Sequence, residues 1–73
     1  MNIYKAKQMM REHPARRFTH RFFTPDEWIV TLSDGETVLD ESGMKLVDFW
    51  EHRSEPEWQK GWSIHPTSPL MTI

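Results

Sequence analysis

Residues 15–23 read ARRFTHRFF (Ala15-Arg16-Arg17-Phe18-Thr19-His20-Arg21-Phe22-Phe23), and the period of this stretch decides the fold. Phe18, His20 and Phe22 alternate with Arg17, Thr19 and Arg21, and Phe23 falls in the second set. Successive side chains of a strand point to opposite faces. The stretch therefore predicts a β-strand with an aromatic core face and a basic outer face. His20, placed among rings, reads as a core histidine satisfied by hydrogen bonds.

Upstream, Asn2 is a good helix N-cap, and Ile3, Ala6 and Met10 recur at helical spacing with Met9 beside them. Pro14 disfavours a helical residue ahead of it, so the helix ends by His13. An amphipathic helix of this length is marginal alone and must dock on a sheet. Downstream, Thr24-Pro25-Asp26-Glu27 is a capping-box sequence. The β-prone Trp28-Ile29-Val30-Thr31-Leu32 follows, so one tight helical turn should feed a strand. Ser33-Asp34-Gly35-Glu36 signals a hairpin turn into Thr37-Val38-Leu39, and Asp40-Glu41-Ser42-Gly43 signals another.

Residues 44–52 fit a helical face and one side of a strand about equally, and Phe49 and Trp50 tilt the reading to strand. Ser54-Glu55-Pro56-Glu57 repeats the capping-box pattern and opens a short helix or turn through Trp58, which Gly61 ends in a left-handed cap. Trp62-Ser63-Ile64 closes as a strand with Trp62 and Ile64 toward the core. Trp58, on a short turn, is expected to be the exposed tryptophan. The fold class is α+β: an N-terminal amphipathic helix packed on an antiparallel sheet of about four strands, with a short helical turn before the last strand. Residues 1–65 form a single small domain, and residues 66–73 read as a flexible tail.

A chain of 73 residues without cysteine has no disulfide or thiolate-metal staple. Near the lower size for a self-sufficient core, it gains from self-association. No apolar run approaches membrane-spanning length, and no apolar segment follows Lys5 and Lys7, so a soluble cytoplasmic protein is expected. Charge is uneven. Residues 1–23 carry six basic groups against Glu12, a net +5, whereas residues 24–73 carry three against ten carboxylates, a net −7. A basic half attracts phosphate and an acidic half repels long polyanions, which favours a small anion or a protein partner over nucleic acid. The two halves could equally pair with each other.

No phosphate loop, HExxH, nucleophile elbow or EF-hand loop is present, and His13, His20, His52 and His65 lack metal-ligand spacing. The expectation is a protein that is not an enzyme and carries no metal and no cofactor. A nucleotide needs a flat apolar surface for its base and fork-shaped donors for its phosphates. Trp50, Trp58 and Trp62 could supply the first, and Arg16, Arg17 and Arg21 the second. Ordinary core packing is the better account of any single tryptophan, whereas for the three together a functional surface for one of them is the better account.

The order of features resembles the Thoeris anti-defense two-like family of small phage proteins. The helix opening Asn2-Ile3-Tyr4-Lys5-Ala6, the basic Ala15-Arg16-Arg17, the pair Phe49-Trp50, the acidic turn Ser54-Glu55-Pro56-Glu57 and the closing Lys60-Gly61-Trp62-Ser63-Ile64 carry it. It departs at Phe22-Phe23, where the family has a tryptophan, and at Gly61-Trp62, where the family has Asp-Trp. The resemblance implies an oligomer, encoded by a phage or prophage, that sequesters a cyclic nucleotide immune signal intact in the host cytoplasm. The other reading is an interaction module that inhibits a host protein through an acidic, tryptophan-bearing face.

Overall fold

The computed structural model describes residues 1–68. Helix α1 (Ile3–Glu12) is followed by strands β1 (Phe18–His20), β2 (Ile29–Thr31), β3 (Val38–Asp40) and β4 (Trp62–Ile64), with a 3-10 turn at Pro56–Trp58 before the last. The strands form one antiparallel sheet in the order β3-β2-β1-β4. The architecture is the expected α+β arrangement, a single helix on a four-stranded sheet.

Local chemistry explains each boundary of α1. The Asn2 side chain accepts the Lys5 N–H at 2.8 Å, which satisfies one of the helix's free N-terminal donors. Non-helical backbone at His13 (φ −136°, ψ 73°), ahead of Pro14, ends it. Ile3, Ala6 and Met10 are the buried stripe, set against β2 and β4. Thr31 fixes the register of helix on sheet by donating its hydroxyl to the Met10 carbonyl at 3.1 Å. The core gathers Phe18, Ile29, Val38, Phe49 and Trp62 beneath that stripe.

Register places Phe18 opposite both Ile29 and Ile64, and His20 opposite Trp62, so these side chains share the helix-side face. The other face carries Arg17, Thr19, Trp28, Val30 and Leu39, all half-buried, and among the described residues no helix covers it. At the β4 edge Met1 lies alongside Trp62, donating to its carbonyl at 2.7 Å and accepting its N–H at 3.3 Å. That pairing covers part of an otherwise open strand edge.

Several expectations need correction. The first strand stops at His20, because the Phe23 N–H turns back to the His20 carbonyl at 2.8 Å. Phe22 is consequently expelled from the core and is 54% exposed, while Phe23 packs half-buried against it. Thr24–Glu27 forms a turn and not a helical turn, although the Glu27 carboxylate accepts the Thr24 N–H at 2.7 Å as half of a capping box would. Residues 44–52 are neither strand nor helix. Lys45 alone bridges to Leu39, after which residues 47–52 run as successive turns that lower Phe49 into the core. Asp48, at φ 54, breaks the strand there. The 3-10 turn starts after Glu55 with no side-chain cap, so Ser54 does not act as one. Ile64 is 38% exposed, because the edge strand runs past the end of the helix's cover.

Residues 66–68 are tied to β1: the Ser68 hydroxyl accepts the Arg17 N–H at 3.0 Å, and the Arg17 guanidinium donates to the Thr67 carbonyl at 3.0 Å. The rest of the segment read as a tail, residues 69–73, lies outside the described residues. Among the described residues no helix is long and apolar enough to cross a membrane.

Candidate functional site

His20 sits at the centre of a box of rings. Trp58 lies 4.3 Å away, Trp62 4.8 Å, Phe22 5.0 Å and Phe23 6.1 Å, centroid to centroid. Sequence positions that alternate on a strand could not build this alone. β1 brings His20, the turn after it brings Phe22 and Phe23, the 3-10 turn brings Trp58, and β4 brings Trp62. The indole N–H of Trp62 donates to the Trp58 carbonyl at 2.8 Å, which locks the turn onto the strand.

The ring of His20 is itself a clamp. Its Nδ1 accepts the Phe22 N–H at 3.1 Å, so the ring proton resides on Nε2 and is donated to the Lys60 carbonyl at 2.6 Å. Burial lowers its pKa below the ordinary 6.5; hydrogen bonding to the Lys60 and Glu57 carbonyls opposes this, and the charges of Arg21 and Arg53 add to it. With both nitrogens committed to backbone groups, His20 is a satisfied core histidine, as its place among rings suggested. Among the described residues no group of three potential metal-binding side chains is gathered.

Above the box lies an exposed platform. Phe22 presents its ring to solvent, edge-on to Trp58 at 5.2 Å, and the Arg21 guanidinium lies 5.2 Å from the Phe22 centroid. Gly61, at φ 91, permits this. A Cβ there would meet the Arg21 Cγ and Cδ at 3.0 Å and His20 Nε2 at 3.1 Å. The Arg21 N–H also donates to the Gly61 carbonyl at 3.0 Å, which holds the arginine's backbone in place.

The six residues singled out from sequence divide. Arg21, Trp58 and Trp62 come together around His20, Trp62 as a core residue that is only 1% exposed. Trp58 is half-buried and not the exposed tryptophan expected, because its ring covers His20. Trp50 touches Trp62 at 5.6 Å but faces the helix, under the Lys7 ammonium at 4.5 Å. Arg17 lies over Trp28 at 4.3 Å on the uncovered sheet face, apart from the box. Arg16 is half-buried, and its N–H closes a turn to the His13 carbonyl.

Two residues escaped sequence reasoning. Phe22 was assigned to the core, and only the turn at Arg21 reverses that. Arg53 was not singled out at all, yet its guanidinium lies 3.9 Å over Phe49 and 5.2 Å from Trp58, donating to the Phe49 carbonyl at 3.1 Å. Its buried Nε has no partner, and desolvation, opposed by the charge of Glu55, lowers its pKa. Arginine four residues after a phenylalanine in a turn-rich segment was the only available signal.

Two clefts lie elsewhere. One of about 250 Å³ is lined by Trp50 and Lys45 with the carboxylates of Glu36, Asp48 and Glu51. The other, of about 160 Å³, runs between Phe23, Trp28 and Arg53 with Glu27, Asp40 and Glu41 at its walls. Their carboxylates repel an anion, whereas the platform offers a ring and a guanidinium together. No family model, curated protein or solved structure matches this chain.

Proposed function

We propose that the protein binds a small nucleotide-like anion, without catalysing its conversion, on the platform formed by Arg21, Phe22 and Trp58. One observation carries this reading: an exposed ring and a guanidinium lie side by side on an aromatic base. A base can stack on Phe22 while Arg21 donates to phosphate. Lys60, whose carbonyl accepts from His20, is exposed on the neighbouring segment. The resemblance noted in the sequence suggests a cyclic nucleotide immune signal held intact in the host cytoplasm by a phage or prophage protein. A one-sided platform holds such a ligand weakly. Self-association would close it, and the exposed Tyr4, Leu32, Met44 and Val47 supply apolar surface for a homo-oligomer.

Thermal unfolding against a panel of cyclic mono- and dinucleotides tests the proposal. Ligand at a hundredfold above its Kd adds about 2.7 kcal/mol to stability, which in a domain of this size raises Tm by roughly 10 °C or more. The shift should vanish in Arg21→Ala and Phe22→Ala and persist in Arg17→Ala. A panel that moves no Tm sinks the reading, as does a shift that survives both platform variants.

The second reading, a protein partner at an acidic tryptophan-bearing face, is favoured by the cleft that sets Trp50 among Glu36, Asp48 and Glu51. Such a cleft suits a basic segment of a host protein. Its mark is a single stoichiometric partner recovered from host lysate by the native protein and lost with Trp50→Ala.

A further inference from the structure

We infer that His20 is the positioning residue of the Arg21–Phe22–Trp58 platform and makes its ligand binding dependent on the proton. The inference rests on the binding reading above, and its geometry stands independently of any ligand. The two hydrogen bonds of His20 end on the turn that carries Arg21 and Phe22 and on the Lys60–Gly61 segment against which Arg21 packs. Nδ1 holds the Phe22 N–H at the turn that projects Arg21 and Phe22, and Nε2–H holds the Lys60 carbonyl beside Gly61, on which Arg21 packs. One neutral imidazole thus ties together segments 40 residues apart in the chain.

Only one protonation state can do this. A doubly protonated ring would turn Nδ1–H toward the Phe22 N–H, setting donor against donor in a space where His20 is 2% exposed. The charged groups acting on the ring are Arg21 on its own turn and Arg53 from the segment behind Trp58, and both repel an imidazolium. The Trp58 ring, 4.3 Å away, and the Lys60 and Glu57 carbonyls favour a cation. Against them stand burial, which is the largest effect, two like charges and the lost Phe22 hydrogen bond. Protonation therefore breaks the Phe22 latch, leaves the turn on its Phe23–His20 and Arg21–Gly61 backbone bonds alone, and loosens the placement of the Phe22 ring.

Two measurements on the native protein test this between pH 7.5 and 5. Nitrogen-15 NMR of the His20 ring and amide exchange at Phe22 report the latch without ligand. Titration with the tightest binder among the cyclic nucleotides reports the platform, and cyclic phosphodiesters lack the second ionisation near pH 6 of a phosphate monoester. The expected result is a neutral ring protonated at Nε2, with Phe22 protection lost as His20 titrates. Affinity should fall by about tenfold per pH unit below that midpoint, as the competent fraction shrinks. His20→Gln, whose amide supplies both an acceptor and a donor, should bind with a flat pH profile. A ring protonated at Nδ1, or a Phe22 amide that stays protected while His20 titrates, overturns the inference. So does an affinity that is pH-independent through that titration. If no nucleotide binds at any pH, the binding proposal fails, and the NMR arm still decides the role of His20.

Discussion

Trp62 joins packing and polarity in one side chain: its ring fills the core at 1% exposure while its indole N–H reaches the Trp58 carbonyl at 2.8 Å. Trp62→Phe keeps most of the apolar area and deletes the donor, leaving a carbonyl at the base of the platform unpaired. A cost of about 1–3 kcal/mol is expected in urea denaturation, whereas Trp62→Ala should cost about 3–5 kcal/mol by opening a cavity as well. Gly61 allows a cleaner comparison. Gly61 and Gly43 both have positive φ, 91° and 87°, but an added Cβ meets nothing within 4 Å at Gly43 and meets Arg21 and His20 at Gly61. Gly43→Ala therefore loses only the conformational term, about 1–2 kcal/mol. Gly61→Ala should lose more and should also displace Arg21. Equal losses in paired denaturation curves would show that the Arg21 contact adds nothing.

At the level of elements, the helix, hairpin and closing strand were legible because each carries its own local signal. The Asn2 cap, the Asp34 turn and the left-handed Gly61 all occur as read. Asp34 shows why: its carboxylate accepts from the Thr37 hydroxyl and from the Glu36 and Thr37 N–H groups, a turn written within four residues. Residues 44–53 carry no such signal. Their apolar side chains satisfy long-range contacts, with Phe49 in the core and Arg53 on its face, and no short-range period records that. The left-handed Asp48 permits the descent. Asp tolerates this conformation better than a β-branched residue does, and Gly adopts it freely. Asp48→Gly should consequently be nearly neutral, and Asp48→Val should be less stable than Asp48→Gly by roughly 1–2 kcal/mol. Chemical denaturation of the two variants decides it; a Val variant as stable as the Gly variant would mean that the turn can re-form elsewhere.

For the molecule as a whole, the residue types of a candidate site were legible and their grouping was not. Arginine and tryptophan are the residue types that a flat anion calls for, but strand alternation says nothing about which arginine a distant turn will meet. Tertiary placement sends Arg17 to Trp28 on the bare sheet face and Arg21 to the aromatic box. It also places one pH-responsive ring, His20, in the core. His20 has its pKa lowered chiefly by burial, so the neutral form is the one that folding favours. Its contribution is complete above the unfolded value of 6.5, shrinks as pH falls below that value, and stops shrinking once pH passes the folded value. The acidic turns respond in a separate window. Hydrogen bonds from Thr37 and Glu36 lower Asp34 to about 2, and bonds from Ser42 and Met44 lower Asp40, so both hold their stabilising charge until pH drops below 3.8. Melting curves taken from pH 7.5 to 2.5 should therefore show two descents of Tm, the first beginning near 6.5 and the second below 4. His20→Gln should erase the first and leave the second. A first descent unchanged in that variant would place the response in another group and remove His20 from the account.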